Sequence, residues 1–382
     1  MDADALLRHC ESHAAWQRET IETLVRLESP STDKAAVDRC GAELARRLAG
    51  IGGRIAAIAQ PVRGDHLRAE FPGRGRQVLI LGHFDTVWAA GTLSRMPLRE
   101  EGGRLYGPGV FDMKSGIAVA LLAIRALREL QVEEAPPIVA LFTTDEEVGS
   151  GTSRALIEEA ARRSAAVLVL EPSLPGGAVK TSRKGCGEFQ MVVHGVSAHA
   201  GIDPGAGASA IHELAQQIVA LVALQDAARG VTLNVGVIEG GTRTNVVAAE
   251  ARADIDVRVP TMAEAARIEE TVRGLQARTP GTRVEIRGGV GRPPLERGPH
   301  VARLYELARE AAAAFGRELS EGGTGGGSDG NFTAALGVPT LDGLGPAGDG
   351  AHAEHEHVVL NDLSWRSAFL AALIVRAADG TG

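Results

Sequence analysis

The chain reads as an α/β protein in which a doubly wound sheet is interrupted by a smaller α+β domain. Three observations predict this. Short, wholly apolar runs alternate with amphipathic helical stretches through the first half, as parallel strands covered on both faces do. Over about 185–290 the strands instead alternate polar and apolar residues. Beyond that a helix, a glycine-rich loop and a short apolar run return. The expected boundaries are therefore 1–184 and 291–382 for the large domain and 185–290 for the insertion.

Each element follows from its local pattern. The stretches 3–28 and 35–49 carry a helical apolar period. Residues 77–83 (QVLILGH) form an apolar run closed by glycine and histidine and read as a buried strand. A helix with an apolar stripe is expected over 114–130, and two more buried strands over 137–143 (PIVALFT) and 166–171 (AVLVLE). In the insertion, 187–194 and 231–238 carry strand patterns, and 247–259 (VAAEARADIDVRV) alternates as a sheet open on one side does. The helical stretches 208–223 and 262–277 separate them. Two helices on a four-stranded antiparallel sheet suit this segment. The remainder gives a helix over 299–315, a glycine-rich loop over 322–327 and a last strand over 338–342.

Composition narrows the function. The 382 residues hold 40 Lys and Arg against 48 Asp and Glu, a net charge of −8. A chain this long buries a core without disulfide or metal support, and its acidic balance disfavours a nucleic-acid partner. Cys10, Cys40 and Cys186 are scattered, odd in number and without a CxxC pair, which argues against a disulfide framework or a thiolate zinc site. The N-terminus lacks a basic stretch followed by an apolar one, and the longest apolar run, 116–124, is far short of the ~20 residues that span a bilayer. A soluble cytoplasmic protein without membrane association is expected.

Acidic and histidine residues gather where strands end. His83 and Asp85 close the first buried strand, Asp112 precedes the next helix, Glu146 and Glu147 follow 137–143, and Glu171 ends 166–171. His352 lies in a glycine-rich loop after the last strand. Carboxyl ends of strands in an open α/β sheet line one crevice, so residues far apart in sequence can converge there. Imidazole and carboxylate without thiolate suit zinc, cobalt or manganese. His83, Asp112, Glu147, Glu171 and His352 are five candidate ligands, too many for one catalytic zinc with an open position. Two ions sharing one carboxylate use all five, with Asp112 the natural bridge. Alone, Asp112 would read as a helix N-cap and Glu146-Glu147 as a charged loop tip.

The segments Gly82-His83-Phe84-Asp85-Thr86-Val87, Gly107-Pro108-Gly109-Val110-Phe111-Asp112-Met113-Lys114-Ser115-Gly116, Thr144-Asp145-Glu146-Glu147-Val148-Gly149-Ser150 and Glu171-Pro172-Ser173 stand in the order and spacing of the M20 metallopeptidase family. Thr324-Gly325-Gly326-Gly327-Ser328-Asp329 and His352-Ala353-x-x-Glu356-x-Val358 extend the match over nearly the whole chain. The chain most resembles the glutamate carboxypeptidase branch. The resemblance implies a zinc-exopeptidase-like catalytic domain, an inserted lid or dimerisation domain and a homodimer. It implies two zinc ions, one bound by His83 and Glu171 and the other by Glu147 and His352, with Asp112 between them. Asp85 would accept a hydrogen bond from the His83 ring. Glu146 would be the general base, taking a proton from a metal-bridging water and passing it to the leaving nitrogen.

In the insertion, His199 (Val196-Ser197-Ala198-His199-Ala200-Gly201) resembles the residue that polarises the scissile carbonyl, and Asn245 its polar companion. Arg258 resembles the arginine that grips a substrate carboxylate, as a planar guanidinium can. Gly326 and its neighbours would bring backbone N–H groups to the same carboxylate. The implied reaction is hydrolysis of a small N-acyl amino acid or peptide, releasing a C-terminal residue, glutamate first. Deacylation of acetylornithine or another N-acyl amino acid, or dipeptide cleavage, is the alternative within the family. A non-enzymatic member would be expected to have lost a ligand or the base, and none is missing. His355 and His357 read as solvated rim residues, and a salt-bridged Arg258 or a turn-forming Asn245 is the plain reading of those two.

Overall fold

The computed structural model describes residues 2–379, which fall into two compact units. One runs to Thr181 and resumes over Arg297–Gly323 and from Ser328 onward; the other is Ser182–Glu296 with Thr324–Gly327.

The first unit is built on a six-stranded sheet, in the order Arg54–Ile58, His66–Phe71, Ile138–Thr143, Val78–His83, Ala166–Val169, Thr340–Leu341. The last four strands are parallel, and the first two add an antiparallel edge. Every residue of 78–83, 138–143 and 166–169 is buried, because both faces are covered. Val78 and Ile80 enter a core shared with helices Ser115–Glu129 and Leu363–Asp379. Leu79 and Leu81 pack instead with Ile157 and Phe332 of helices Arg154–Arg162 and Gly330–Ala335. Each such side chain contributes about 1.5–3 kcal/mol by leaving water, which anchors the strand ends that carry the polar residues.

The expected helix over 3–28 is two helices, Ala3–Ser12 and Ala14–Arg26. The break is at His13, whose N–H turns back to the Cys10 carbonyl and whose ring reaches the His9 carbonyl. A small four-stranded sheet, in the order Gly348–Asp349, His357–Val359, Arg104–Tyr106, Arg99–Glu101, carries His352 in the loop between its first two strands. His357 is buried, against the expectation of a solvated rim residue. Its ring packs on Tyr106, centroids 5.0 Å apart, and its Nδ1 lies 2.9 Å from the His355 carbonyl.

The second unit is a four-stranded antiparallel sheet in the order Thr232–Gly240, Glu250–Val259, Gly185–His194, Arg283–Arg292. Helices Ala210–Val222 and Met262–Arg273 pack on one face of it. Ala251, Ala253, Ile255, Val257 and Val259 alternate into the core they share with Leu214 and Ile268. The unit outruns the expected 185–290 because main-chain bonds close its base. Arg183 and Leu295 exchange N–H···O bonds of 2.9 and 3.0 Å. Lys184 N donates to the Thr324 carbonyl at 3.1 Å, and Arg183 Nη1 donates to the carbonyls of Gly326 and Gly327, which holds 324–327 in the same unit. Among the described residues, no helix is long and apolar enough to cross a membrane.

Candidate active site

Five side chains meet at the carboxyl ends of the parallel strands of the first unit. His83 is the last residue of its strand. Glu147 sits in the single turn Glu146–Val148 that follows strand 138–143, and Glu171 lies two residues past strand 166–169. Asp112 comes from the irregular segment Val110–Lys114, where its φ of −113° and ψ of 94° take it out of helical geometry. It does not cap the helix that follows, whose N-cap is Lys114. That helix starts hard against the sheet: a Cβ on Gly116 would stand 2.2 Å from the Leu170 carbonyl oxygen. His352 adopts φ +61°, a region few side chains other than glycine enter.

The distances define two groups sharing one carboxylate. His83 Nε2 is 3.3 Å from Asp112 Oδ1 and 3.6 Å from Glu171 Oε1. His352 Nε2 is 3.4 Å from Asp112 Oδ2 and 3.2 Å from Glu147 Oε2. In each trio the candidate ligand atoms lie within 4.8 Å of one another, and either could hold a metal ion. Donors set about 2.1 Å from a tetrahedral ion stand about 3.4 Å apart, close to these separations. Asp112 Oδ1 and Glu147 Oε1 are buried without a hydrogen-bond partner, a costly state that a cation relieves. The donor set therefore fits a pair of divalent ions.

The electrostatics agree. Burial opposes charge on His83, yet the carboxylates of Asp112, Asp85 and Glu171 outweigh it and hold its pKa well above the usual imidazole value. Asp112 and Glu147 raise His352 to about 10. Burial pushes Glu147 up, whereas the two histidines overcome burial to pull Asp112 down. Three carboxylates crowded here require positive charge, from protons or from metal.

Surrounding groups fix this geometry. His83 Nδ1 lies 3.0 Å from the main-chain carbonyl of Asp85 and 3.4 Å from its carboxylate Oδ1. The carbonyl is thus the nearer acceptor, although the carboxylate was the expected one; either presents Nε2 as the lone-pair nitrogen. Asp85 Oδ2 accepts from the Ser31 hydroxyl at 2.7 Å. Asp145 Oδ2 accepts from the Thr152 amide and hydroxyl, both at 2.7 Å, beside the turn that carries Glu146 and Glu147. Glu146 is half-buried.

The residue that sequence reasoning left without a role is Glu356. Its Oε1 accepts from the amides of Phe111 (2.8 Å) and Asp112 (3.1 Å), and its Oε2 from the Gly109 amide (2.9 Å) and the Trp88 indole (2.7 Å). Burial lifts its pKa to about 7 despite these four donors. The signal was its place in the His352 motif; the bonds themselves span more than 240 positions.

The matching family model is peptidase family M20/M25/M40, over residues 79–376. The chain belongs to the M20 peptidase family. This M20 protein is 31% identical over 372 residues to carboxypeptidase G2 of Pseudomonas sp. (strain RS-16), covering 94% of this chain and 89% of that one. It is 28% identical over 310 residues to the succinyl-diaminopimelate desuccinylase of Verminephrobacter eiseniae, covering 75% of each. The fold matches that of aminopeptidase PepT from Bacillus cereus with a TM-score of 0.78 at 24% identity, covering 95% of this chain and 99% of that one. An M20 member with this site is a hydrolase of the metallopeptidase and amidohydrolase type.

The other expected site residues of this M20 chain lie in the second unit. His199 Nδ1 accepts from the amides of Gly201 and Ile202, both at 3.1 Å, so the ring proton is on Nε2, free to donate. The Ala200 amide donates to the Asn245 carbonyl at 3.0 Å, which brings these two loops together. Arg258 is salt-bridged: its Nε reaches both oxygens of Asp256, at 2.7 and 2.8 Å, and its Nη1 meets Cys186 Sγ at 2.6 Å. The plain reading of Arg258 therefore holds for its Nε edge. Gly326 turns its carbonyl to Arg183, and its amide lies 3.5 Å from Thr324 Oγ1.

Proposed function

We propose that this protein is a dizinc amide hydrolase that releases a C-terminal amino acid, glutamate first, from N-acyl or peptide substrates. The observation that carries the reading is the pair of His–carboxylate groups sharing Asp112, with Glu146 opening the turn that holds Glu147. His83 and Glu171 would hold one ion, Glu147 and His352 the other, and Asp112 both; cobalt or manganese would suit the same donors. When bound, the ions would polarise the amide carbonyl and lower the pKa of water. Glu146 takes a proton from the attacking water and delivers it to the departing amine nitrogen, so the C–N bond breaks as the new C–O bond forms. The 3.2 Å approach of Glu147 Oε2 to His352 supports giving Glu147 to metal binding and Glu146 to proton transfer. His199, a donor through Nε2, is assigned to the scissile carbonyl with Asn245 beside it, and Arg258 and the Gly326 loop to the substrate carboxylate.

The test is hydrolysis by metal-loaded protein of N-benzoyl-glutamate, folate, acetyl-ornithine, N-acyl amino acids and dipeptides, with and without chelator. Chelator-sensitive release of glutamate is expected. Activity confined to succinylated or acetylated diamino acids would favour the deacylase reading, which the 28% identity to a desuccinylase supports. No hydrolysis by fully loaded protein would favour a non-enzymatic member. Arg258→Ala should raise KM about tenfold or more for substrates with a free α-carboxylate, with little change for their amides. Equal effects on both would remove Arg258 from carboxylate recognition.

We also propose a homodimer formed through the second unit. Helix 210–222 exposes Ile211, Val219 and Val222, and the sheet-edge strand 232–240 exposes Val237 and Ile238, an apolar edge of the kind that pairs with another chain. Sedimentation should give a dimer that Val219→Asp with Ile238→Asp converts to a monomer; a wild-type monomer refutes it. The three free cysteines, two of them buried, suit a reducing compartment such as the cytoplasm.

A further inference from the structure

We propose that His9, His13 and Glu129 form a third divalent-metal site, separate from the catalytic pair, that ties the two N-terminal helices to helix 115–129. His9 is on helix 3–12, His13 is at the break before helix 14–26, and Glu129 ends helix 115–129. His9 Nε2 is 3.3 Å and His13 Nε2 3.8 Å from Glu129 Oε2. The candidate ligand atoms of the three lie within 4.8 Å of one another, as in the catalytic trios.

Four features prepare these atoms for a cation. His13 Nδ1 lies 2.8 Å from the His9 carbonyl; the ring proton belongs there, which leaves the lone pair on Nε2. His9 Nε2 is buried and makes no hydrogen bond. Arg125 Nε takes Glu129 Oε1 at 2.8 Å, orienting the carboxylate with Oε2 toward the histidines. The two rings stack with centroids 4.3 Å apart, so a modest ring rotation suffices to converge the lone pairs. Two imidazoles and one carboxylate suit zinc, cobalt or nickel, with water completing the shell. Arg125 also repels a cation, which places this site below the catalytic pair in affinity.

The test is equilibrium dialysis of the full chain against micromolar Co(II) or Zn(II), with metal counted by elemental analysis. His13→Gln and Glu129→Gln should each bind one equivalent fewer than wild type, with kcat/KM on the best substrate changed less than twofold. Asp112→Asn should lose catalytic metal yet keep the equivalent that His13→Gln removes. The readout is a difference between variants, so failure of the catalytic reading would alter every total and leave the difference intact. Equal metal content in wild type and both variants overturns the proposal. Glu129→Gln preserves the helix end, so it decides the matter if His13→Gln does not fold.

Discussion

Glu146→Gln should keep its full metal content and its fold yet lose about 10³–10⁴ in kcat, the contribution of a positioned general base. That is about 4–5.5 kcal/mol of transition-state stabilisation. The expectation rests on a division of labour within one turn. Glu147 faces His352 at 3.2 Å, whereas Glu146, half-buried one position earlier, is the residue the proposal assigns to proton transfer. Glutamine keeps the shape and loses the basicity, so KM should move little. A rate within tenfold of wild type, with metal measured on the same sample, would end the assignment of Glu146 as the base.

The second large effect is expected at Glu356, because a small shift of Asp112 would disturb both trios that share it. Its carboxylate accepts from the amides of Gly109, Phe111 and Asp112 and from the Trp88 indole. Glu356→Ala would strand these donors in a buried place and should cost about 3–5 kcal/mol in unfolding free energy. Glu356→Gln is the sharper test. Its size is right, but its NH₂ must face donors, so it should fold and still lose about 10–100-fold in metal affinity or activity, as mutations behind a metal ligand do. Chelator competition and thermal unfolding on the same variants separate the two effects. Wild-type metal affinity in Glu356→Gln would reduce Glu356 to a packing role.

What could be foreseen follows from where burial is symmetrical. Strand 78–83 was legible almost to the residue because both faces are covered and every position before the closing His83 is apolar or glycine. The antiparallel edge strand 54–58 is half exposed, with the pattern RIAAI, and its local sequence carries no such mark. Helix 363–379 was missed because most of its circumference is buried among other helices, which erases the polar face that marks an amphipathic helix. Strand 283–292 was implied by the four-stranded sheet but carries arginines and glycines in place of clean alternation. At the site, the five candidate ligands were readable as polar residues at strand ends. The supporting roles of Ser31, Asp145 and Glu356 were not, because a single side-chain bond, from Ser31 to Asp85, Thr152 to Asp145 or the 109–112 amides to Glu356, imposes no period on its neighbourhood.

The paired main chains of Arg183 and Leu295 have an evolutionary consequence. The inserted segment leaves and re-enters the chain at a single point, so it behaves as a cassette. Apart from the loop 324–327, everything it needs for its own core lies between those two residues. All five metal-ligand candidates and Glu146 lie outside it. Mutation, recombination or design can therefore rewrite the cassette around His199, Asn245 and Arg258 while the candidate metal ligands and Glu146 are inherited untouched, which is a physical route by which one set of ligands comes to serve many substrates.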